Sequence, residues 1–172
     1  CAIRDITVVC DADGSPYIYN SGGSDYIDIT ATMPDGLGIS ACGILSFNIA
    51  TYAISQKGCL MIDRGGSKQN DHAAQIIRDS SGSPTYRLFI SSWGNGFGGA
   101  IGIYYYSTTT DIRTGSHLLS GASLLTIPLQ ASGYAAYDPF VIKDGSTWRM
   151  AHEICENTTF SGSPFFPAVA TS

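Results

Sequence analysis

One pattern occurs three times along the chain: an apolar run of strand length, a turn that contains Asp, and a second apolar run. The copies span residues 4–19, 73–89 and 137–150, and the third reads YDPFVIKDGSTWRM. When the copies are aligned on the Asp of the turn, Asp5, Ala73 and Asp138 fall at one position, six residues before it. Because a repeat unit of this size cannot bury its apolar face alone, the pattern predicts units that stack on one another.

The pattern within each unit predicts an all-β fold. Short alternating or apolar runs are separated by turns rich in Gly, Ser, Asp and Pro, and no segment has helical periodicity. Four antiparallel strands per unit, with the innermost strand first, are typical of a β-propeller blade. The blade-like units would span about 1–65, 70–130 and 134–172. Residues 3–10 and 17–19 would form a first hairpin, and 117–119 a short last strand of the second unit.

The 172 residues are expected to form a single β-propeller domain or a fragment of one. Propellers have about four to eight blades, whereas roughly two and a half units of this period fit into the chain. We therefore expect the propeller to be incomplete in this chain and to be completed by a remaining chain segment or by an oligomer. The alternative is a β-sandwich of the surface or adhesion type, in which the repeat is a coincidence.

The composition excludes several partners. The formal net charge is −5, and only nine Lys and Arg residues are spread along the chain, whereas nucleic acids and acidic membrane surfaces select clustered positive charge. No apolar run approaches the roughly 18 residues that span a bilayer. The five cysteines form no C-x-x-C pair, so we expect no zinc site, and nothing in the sequence indicates another metal or a cofactor.

The surface composition favours a secreted or cell-surface protein. Charged residues make up only 13% of the chain, and Asn157-Thr158-Thr159 is a triplet of the glycosylation-acceptor type. A start at Cys1 without Met is typical of a mature lipoprotein, and equally of a chain that simply begins at this residue. With an odd number of cysteines, at least one thiol is expected to stay unpaired.

Three short motifs open the units in chain order: Arg4-Asp5, Ala73-Ala74 and Tyr137-Asp138-Pro139. Together with the phrase Ile103-Tyr104-Tyr105-Tyr106-Ser107, they resemble glycoside hydrolase family 43 and its relatives, five-bladed propellers that cleave arabinose- or xylose-containing plant polysaccharides with inversion. The resemblance covers nearly the whole chain. It implies an oligo- or polysaccharide ligand, a general-base role for Asp5 and a role for Asp138 in adjusting the pKa of the acid.

The chain also departs from the family pattern. Ile6 and Ala74 stand where the family has Pro. The general acid of the family is a Glu at the start of blade four, which would lie beyond Ser172, so the chain by itself is expected to be inactive. Glu153 and Glu156 are the only glutamates. We expect both in solvent-facing loops beyond the second strand of the third unit, as ordinary surface charge.

Asp5 and Asp138 are the candidate catalytic pair. Inverting hydrolysis uses two carboxyl groups about 6.5–9.5 Å apart on opposite faces of the sugar. Innermost propeller strands meet around one axis, so they would direct both side chains into a shared funnel. The alternative is that both Asp residues simply cap loops at strand starts.

Four further residues are candidates for substrate binding: Arg4, His72, Trp93 and Tyr137. Trp93 is followed by glycines and offers a flat indole face to a sugar ring, although a partly buried aromatic in a loop gives the same pattern. His72 precedes the second inner strand and would line the funnel, unless it is an ordinary polar surface residue. The second functional hypothesis is a non-catalytic carbohydrate-binding or structural propeller module on a cell or virion surface.

Overall fold

The computed structural model describes residues 3–34, 40–65, 69–80, 83–93, 101–127, 134–156 and 164–172. The regular structure in these ranges consists of β-strands, which confirms the predicted all-β class. In chain order the strands are β1 (Arg4–Val8), β2 (Cys10–Asp11), β3 (Ile18–Ser21), β4 (Ser24–Pro34), β5 (Ser40–Asn48), β6 (Ile54–Ile62), β7 (Asp71–Asp79), β8 (Thr85–Ser92), β9 (Gly102–Thr108), β10 (Gly115–Leu119), β11 (Ser123–Leu124), β12 (Ala135–Asp144), β13 (Thr147–Cys155) and β14 (Phe165–Thr171).

The strands form three sheets, none of which closes on itself. The first sheet has the order β1-β4-β5-β6-β10, with β3 also paired to β4. The second has the order β11-β9-β8-β7-β2, and the third has the order β12-β13-β14. Each sheet therefore contains mainly the strands of one sequence unit. The exceptions are β2, which joins the second sheet, and β10, which joins the first, and both of these pairings are parallel.

One predicted pairing forms only in part and another is wrong. The predicted hairpin between residues 3–10 and 17–19 is limited to an antiparallel bridge between Cys10 and Pro16, next to which the Tyr17 N–H donates to the Val9 carbonyl at 2.9 Å. The flanking strands β1 and β3 both pair with β4 instead of with each other. The segment around His117 pairs with β6 of the first sheet instead of completing the second. Gly58 makes this pairing feasible, since a Cβ at that position would lie 1.8 Å from the Gly115 carbonyl oxygen. The fourth antiparallel place in the second sheet belongs to β11, which pairs with β9.

The three sheets share one β-bulge at the position that the repeat singles out. In each, two residues of the opening strand face a single residue of its partner: the register shifts between Arg4 and Thr7, between His72 and Gln75, and between Tyr137 and Phe140. The first residue of each bulge has left-handed backbone, with φ of 52° at Asp5, 44° at Ala73 and 49° at Asp138. Side-chain-bearing residues rarely adopt this conformation, which costs roughly 1–2 kcal/mol.

A hydroxyl group of the preceding sheet holds the left-handed residue in two of the three cases. Thr32 Oγ1 accepts the Ala73 N–H at 3.1 Å, and Ser91 Oγ accepts the Asp138 N–H at 2.7 Å. The two hydroxyl residues occupy equivalent positions, since Thr32 pairs with Arg4 and Ser91 pairs with His72. We call this contact the hydroxyl clamp. It satisfies a backbone donor that the bulge removes from the strand ladder.

The core lies between successive sheets. One buried cluster joins the first and second sheets through apolar strand residues that include Ile44, Leu60, Ile76 and Leu88. A second cluster joins the second and third sheets through Ile77, Ile103 and others. Each such side chain contributes about 1.5–3 kcal/mol by leaving water. In the part of the chain that the structure describes, no helical segment has the length and apolar character that a bilayer crossing requires.

Candidate functional site

The bulges of the first and third sheets bring the predicted catalytic residues into one electrostatic environment. Asp5 and Asp138 each lie at the left-handed position of a bulge, and the charge of Asp5 acts on the Asp138 carboxyl. The second sheet lies between them in chain order and contributes Ala73 at the equivalent position, which has no ionisable group. We refer to the region around Asp5, His72, Trp93 and Asp138 as the bulge site.

On the first-sheet side, Asp5 lies beside two basic side chains. Its Oδ2 is 3.6 Å from Arg4 Nε and 3.9 Å from His72 Nδ1. Arg4 also lies 3.3 Å from His72 Nδ1 through its Nη2 atom. Burial and the nearby Arg4 charge lower the pKa of His72, so the ring is neutral at pH 7 and its Nδ1 accepts the hydrogen bond from Arg4.

On the third-sheet side, Asp138 is held by Ser91 and surrounded by negative charge. Ser91 Oγ accepts the Asp138 N–H and lies 3.4 Å from its Oδ1. Burial, followed by the charges of Glu153 and Asp5, raises the pKa of Asp138 to about 6, against the opposing effects of Ser91 and Arg4. A carboxyl group in this state exchanges a proton near neutral pH, which is a property of catalytic acids and bases.

Aromatic rings line the bulge site. The Trp93 ring centroid lies 4.6 Å from that of Tyr137 and 5.8 Å from that of His72. Trp93 is half-buried, whereas Tyr137 is fully buried and also contacts Phe165 at 5.7 Å. Burial raises the pKa of Tyr137. Trp93 is therefore the ring that can contact a ligand, and the buried ring of Tyr137 packs against it.

The structure brings together the six residues predicted from the sequence: Arg4, Asp5, His72, Trp93, Tyr137 and Asp138. Their predicted roles are separate from this placement and stay predictions. The glycine-rich stretch 94–99 and the triplet 157–159 lie outside the described residues, so the predicted glycine approach to Trp93 stays a prediction too.

The predicted location of Glu153 is wrong. Instead of following the second strand of the third unit, it lies within that strand, β13, and pairs with Tyr137. Its side chain is exposed, but its charge is the largest electrostatic influence on Asp138. Glu156 does follow β13, where Glu156 Oε1 accepts a hydrogen bond from Tyr134 Oη at 2.9 Å. No local sequence signal marks Glu153, because its equivalence to the clamp positions Thr32 and Ser91 follows from strand register.

Outside the bulge site, Arg87 has structural partners. Arg87 lines a cavity of about 400 Å³ between the second and third sheets, but its guanidinium contacts Tyr105 Oη at 2.6 Å and Asp79 at 3.3 Å. Cys10, Cys42 and Cys59 are free thiols. Within the described ranges, no three His, Cys, Asp or Glu side chains are grouped as metal ligands.

Comparison of the chain with protein-family models, with curated proteins and with solved structures found no match.

Proposed function

We propose that the three sheets are blades of a β-propeller and that the bulge site acts on a saccharide as an inverting glycosidase. In this proposal Asp5 is the general base, and Asp138 is the carboxylate that adjusts the pKa of the proton donor. One observation carries the proposal: the same left-handed bulge presents Asp5 from the first sheet and Asp138 from the third, and the charge of Asp5 acts on the Asp138 carboxyl.

The residues around the pair suit a sugar ligand. A sugar ring presents an apolar face to an aromatic ring and hydroxyl groups to charged side chains at its edge. Trp93 supplies the aromatic surface, while Arg4 and the neutral His72 supply hydrogen-bonding groups beside Asp5. In hydrolysis, Asp5 would take a proton from the attacking water, and the negative charge of Asp138 would raise the pKa of an acid next to it.

Hydrolysis is best tested with 4-nitrophenyl arabinofuranosides and xylosides. Their leaving group departs as a stable anion and needs little help from a general acid, so the base side of the site can be assayed by itself. Asp5→Asn is expected to lower kcat/KM by about 100-fold or more. Asp13→Asn is the matched control, because Asp13 is an exposed turn residue whose carboxylate binds Ser15. Proton NMR of the first product should show inversion. Equal losses in both variants, or no turnover by the unmodified chain, would refute the hydrolase.

A second candidate function is saccharide binding without hydrolysis. The observation that favours it is the ion pair between Arg4 and Asp5, because a guanidinium beside the carboxylate competes with the water that a general base must activate. Calorimetric titration with arabino- and xylo-oligosaccharides measures binding, and binding without turnover of the 4-nitrophenyl glycosides distinguishes this function from hydrolysis. Trp93→Ala should weaken binding at least tenfold in either case. The control is Trp148→Ala, which alters the other tryptophan, in the cavity between the second and third sheets.

A further inference from the structure

The outward face of the third sheet is apolar and exposed. Phe140, Ala151 and Val169 form one row across β12, β13 and β14. The neighbouring row of Val141, Met150 and Ala170 faces the second sheet and belongs to its buried cluster. In contrast, Phe140 is 46% exposed and Val169 is 72% exposed. An apolar row that crosses a whole sheet in this way is typical of a surface that another sheet covers.

The first sheet, at the other end of the stack, has a similar outward face. Ile18, Ile27, Phe47 and Ile54 form a row across β3, β4, β5 and β6. The opposite face of β4 carries Thr30 and Thr32, which contact the second sheet. Ile18 and Ile54 are 56% and 59% exposed. Among the described residues, no sheet covers the apolar face at either end of the three-sheet stack.

The hydroxyl clamp indicates what kind of sheet would cover the third one. Thr32 of the first sheet clamps the left-handed residue of the second, and Ser91 of the second sheet clamps that of the third. Glu153 holds the same place in the third sheet, because it pairs with Tyr137 as Ser91 pairs with His72. A carboxylate there can accept the N–H of a left-handed residue in a following sheet.

The first sheet carries such a residue. Asp5 has the same left-handed bulge as Ala73 and Asp138, yet among the described residues no hydroxyl or carboxylate of a preceding sheet clamps its N–H. The first sheet of a second copy therefore matches the third sheet in two ways. Its apolar face can pack on the apolar face of the third sheet, and its left-handed residue Asp5 can donate its N–H to Glu153.

We propose that two copies of this chain associate head to tail into a closed ring of six sheets, with the third sheet of each copy packed on the first sheet of the other and Glu153 accepting the N–H of the partner's Asp5. Each copy contributes three sheets, and propellers contain about four to eight. The two contacts are identical, and a two-fold axis closes the ring. The inference rests on the blade arrangement of the proposed function, but not on its chemistry.

The test is the mass of the chain in solution, measured by sedimentation equilibrium. The expected mass is twice the 18.2 kDa of one copy. Val169→Asp and Ile54→Asp should each give monomers, because each places a charge in both contacts of the ring. Leu124→Asp is the control: Leu124 is 45% exposed on β11 of the second sheet, which is not an end of the stack. Circular dichroism checks that the variants keep their strands.

Mixing distinguishes this ring from other dimers. A pair made of one Val169→Asp copy and one Ile54→Asp copy retains one unaltered contact, so the mixture should associate although neither variant does alone. A dimer in which identical faces meet predicts no such rescue. A monomeric unmodified chain at concentrations up to about 100 μM would overturn the proposal, as would a dimer that Val169→Asp leaves intact or a mixture that fails to associate. A ring without turnover would contradict only the hydrolase, and a monomer that hydrolyses glycosides would contradict only the ring.

Discussion

Asp28 and Asp138 are two carboxyl groups that differ in burial and in the charges around them. Asp28 on β4 is fully buried, and Lys57 Nζ donates to both of its oxygens at 3.0 and 2.8 Å. Tyr19 Oη donates to it at 2.9 Å, and Arg113 lies 3.6 Å away. Asp138 keeps an edge open to solvent and hydrogen-bonds to Ser91, while Glu153 and Asp5 add negative charge.

Asp28 is a structural charge, whereas Asp138 is a candidate functional one. Asp28 is neutralised in place, which stabilises the contact between the first sheet and the segment around Arg113 but leaves no reactive group. Asp138 is left among like charges, a state that lowers stability and that is retained at functional sites. The tyrosine rings that stack on Arg113, 4.6 Å away for Tyr17, complete the structural cluster.

Removing the Asp28 charge should have the largest effect on stability. Asp28→Asn leaves Lys57 and Arg113 without their buried counter-ion, which is expected to cost about 3 kcal/mol of unfolding free energy. Urea titration monitored by tryptophan fluorescence measures the loss. Lys57→Met, which removes one of the two cations instead, should cost less because Arg113 remains. A loss below about 1 kcal/mol for Asp28→Asn would mean that Asp28 is not the centre of a structural ion cluster.

The hydroxyl clamps should have the next largest effect. Thr32→Val and Ser91→Ala each leave a backbone N–H without its acceptor and are expected to lower the unfolding free energy by about 1–2 kcal/mol. The two variants should then diverge in function. Only Ser91→Ala is expected to weaken saccharide binding, since Ser91 positions Asp138 whereas Thr32 positions Ala73. Equal effects on binding in a calorimetric titration would argue against a specific role for Asp138.

Neutralising Asp138 should stabilise the protein, in contrast to Asp28. The raised pKa of Asp138 means that its favourable contribution is complete below pH 4 and is lost as the pH rises through about 6. At pH 7, Asp138→Asn is therefore expected to raise the unfolding free energy by about 1 kcal/mol. The gain is no larger because solvent screens part of the repulsion that the substitution removes. The gain should vanish at pH 4. Thermal unfolding of both proteins at the two pH values tests this, and a gain that does not depend on pH would contradict it.

The smallest effect on stability is expected at the bulge of the second sheet, where Ala73 has no ionisable group. Ala73→Gly removes the strain of left-handed backbone at φ 44° and should stabilise the protein by about 0.5–1 kcal/mol. Ala74→Gly, at the next residue, has no positive φ to relieve and should destabilise it by about 1 kcal/mol. Chemical denaturation of the two variants provides the comparison. A loss in Ala73→Gly would indicate that its Cβ packing outweighs the strain.

Much of the fold could be predicted because its signals are local. Alternating apolar residues and Gly, Asp and Pro turns predict most strands, and the repeat in the sequence marks the position of Asp5, Ala73 and Asp138 at which the three sheets share a bulge. The joining of β10 to β6 could not be predicted in the same way. It depends on Gly58 lying opposite a segment that is distant in sequence, and such a close approach leaves no local signal.

The sequence predicts which residues form the candidate site but not the contacts that they make. The residues that flank the two Asp positions are visible in the sequence, whereas the place of Glu153 within a strand is not, because its pairing with Tyr137 depends on register. The burial of Tyr137 likewise depends on the packing of the third sheet against Trp93 of the second.

The sequence by itself determined where the strands turn and which residues repeat, because turn chemistry and alternation act over a few neighbouring positions. Only the tertiary structure decided which carboxylates are neutralised and which are not. Lys57 and Arg113 reach Asp28 from distant parts of the chain, while Glu153 and Asp5 approach Asp138 from two different sheets. Coulomb energy and desolvation depend on separation in space, and that separation exists only once the sheets have packed.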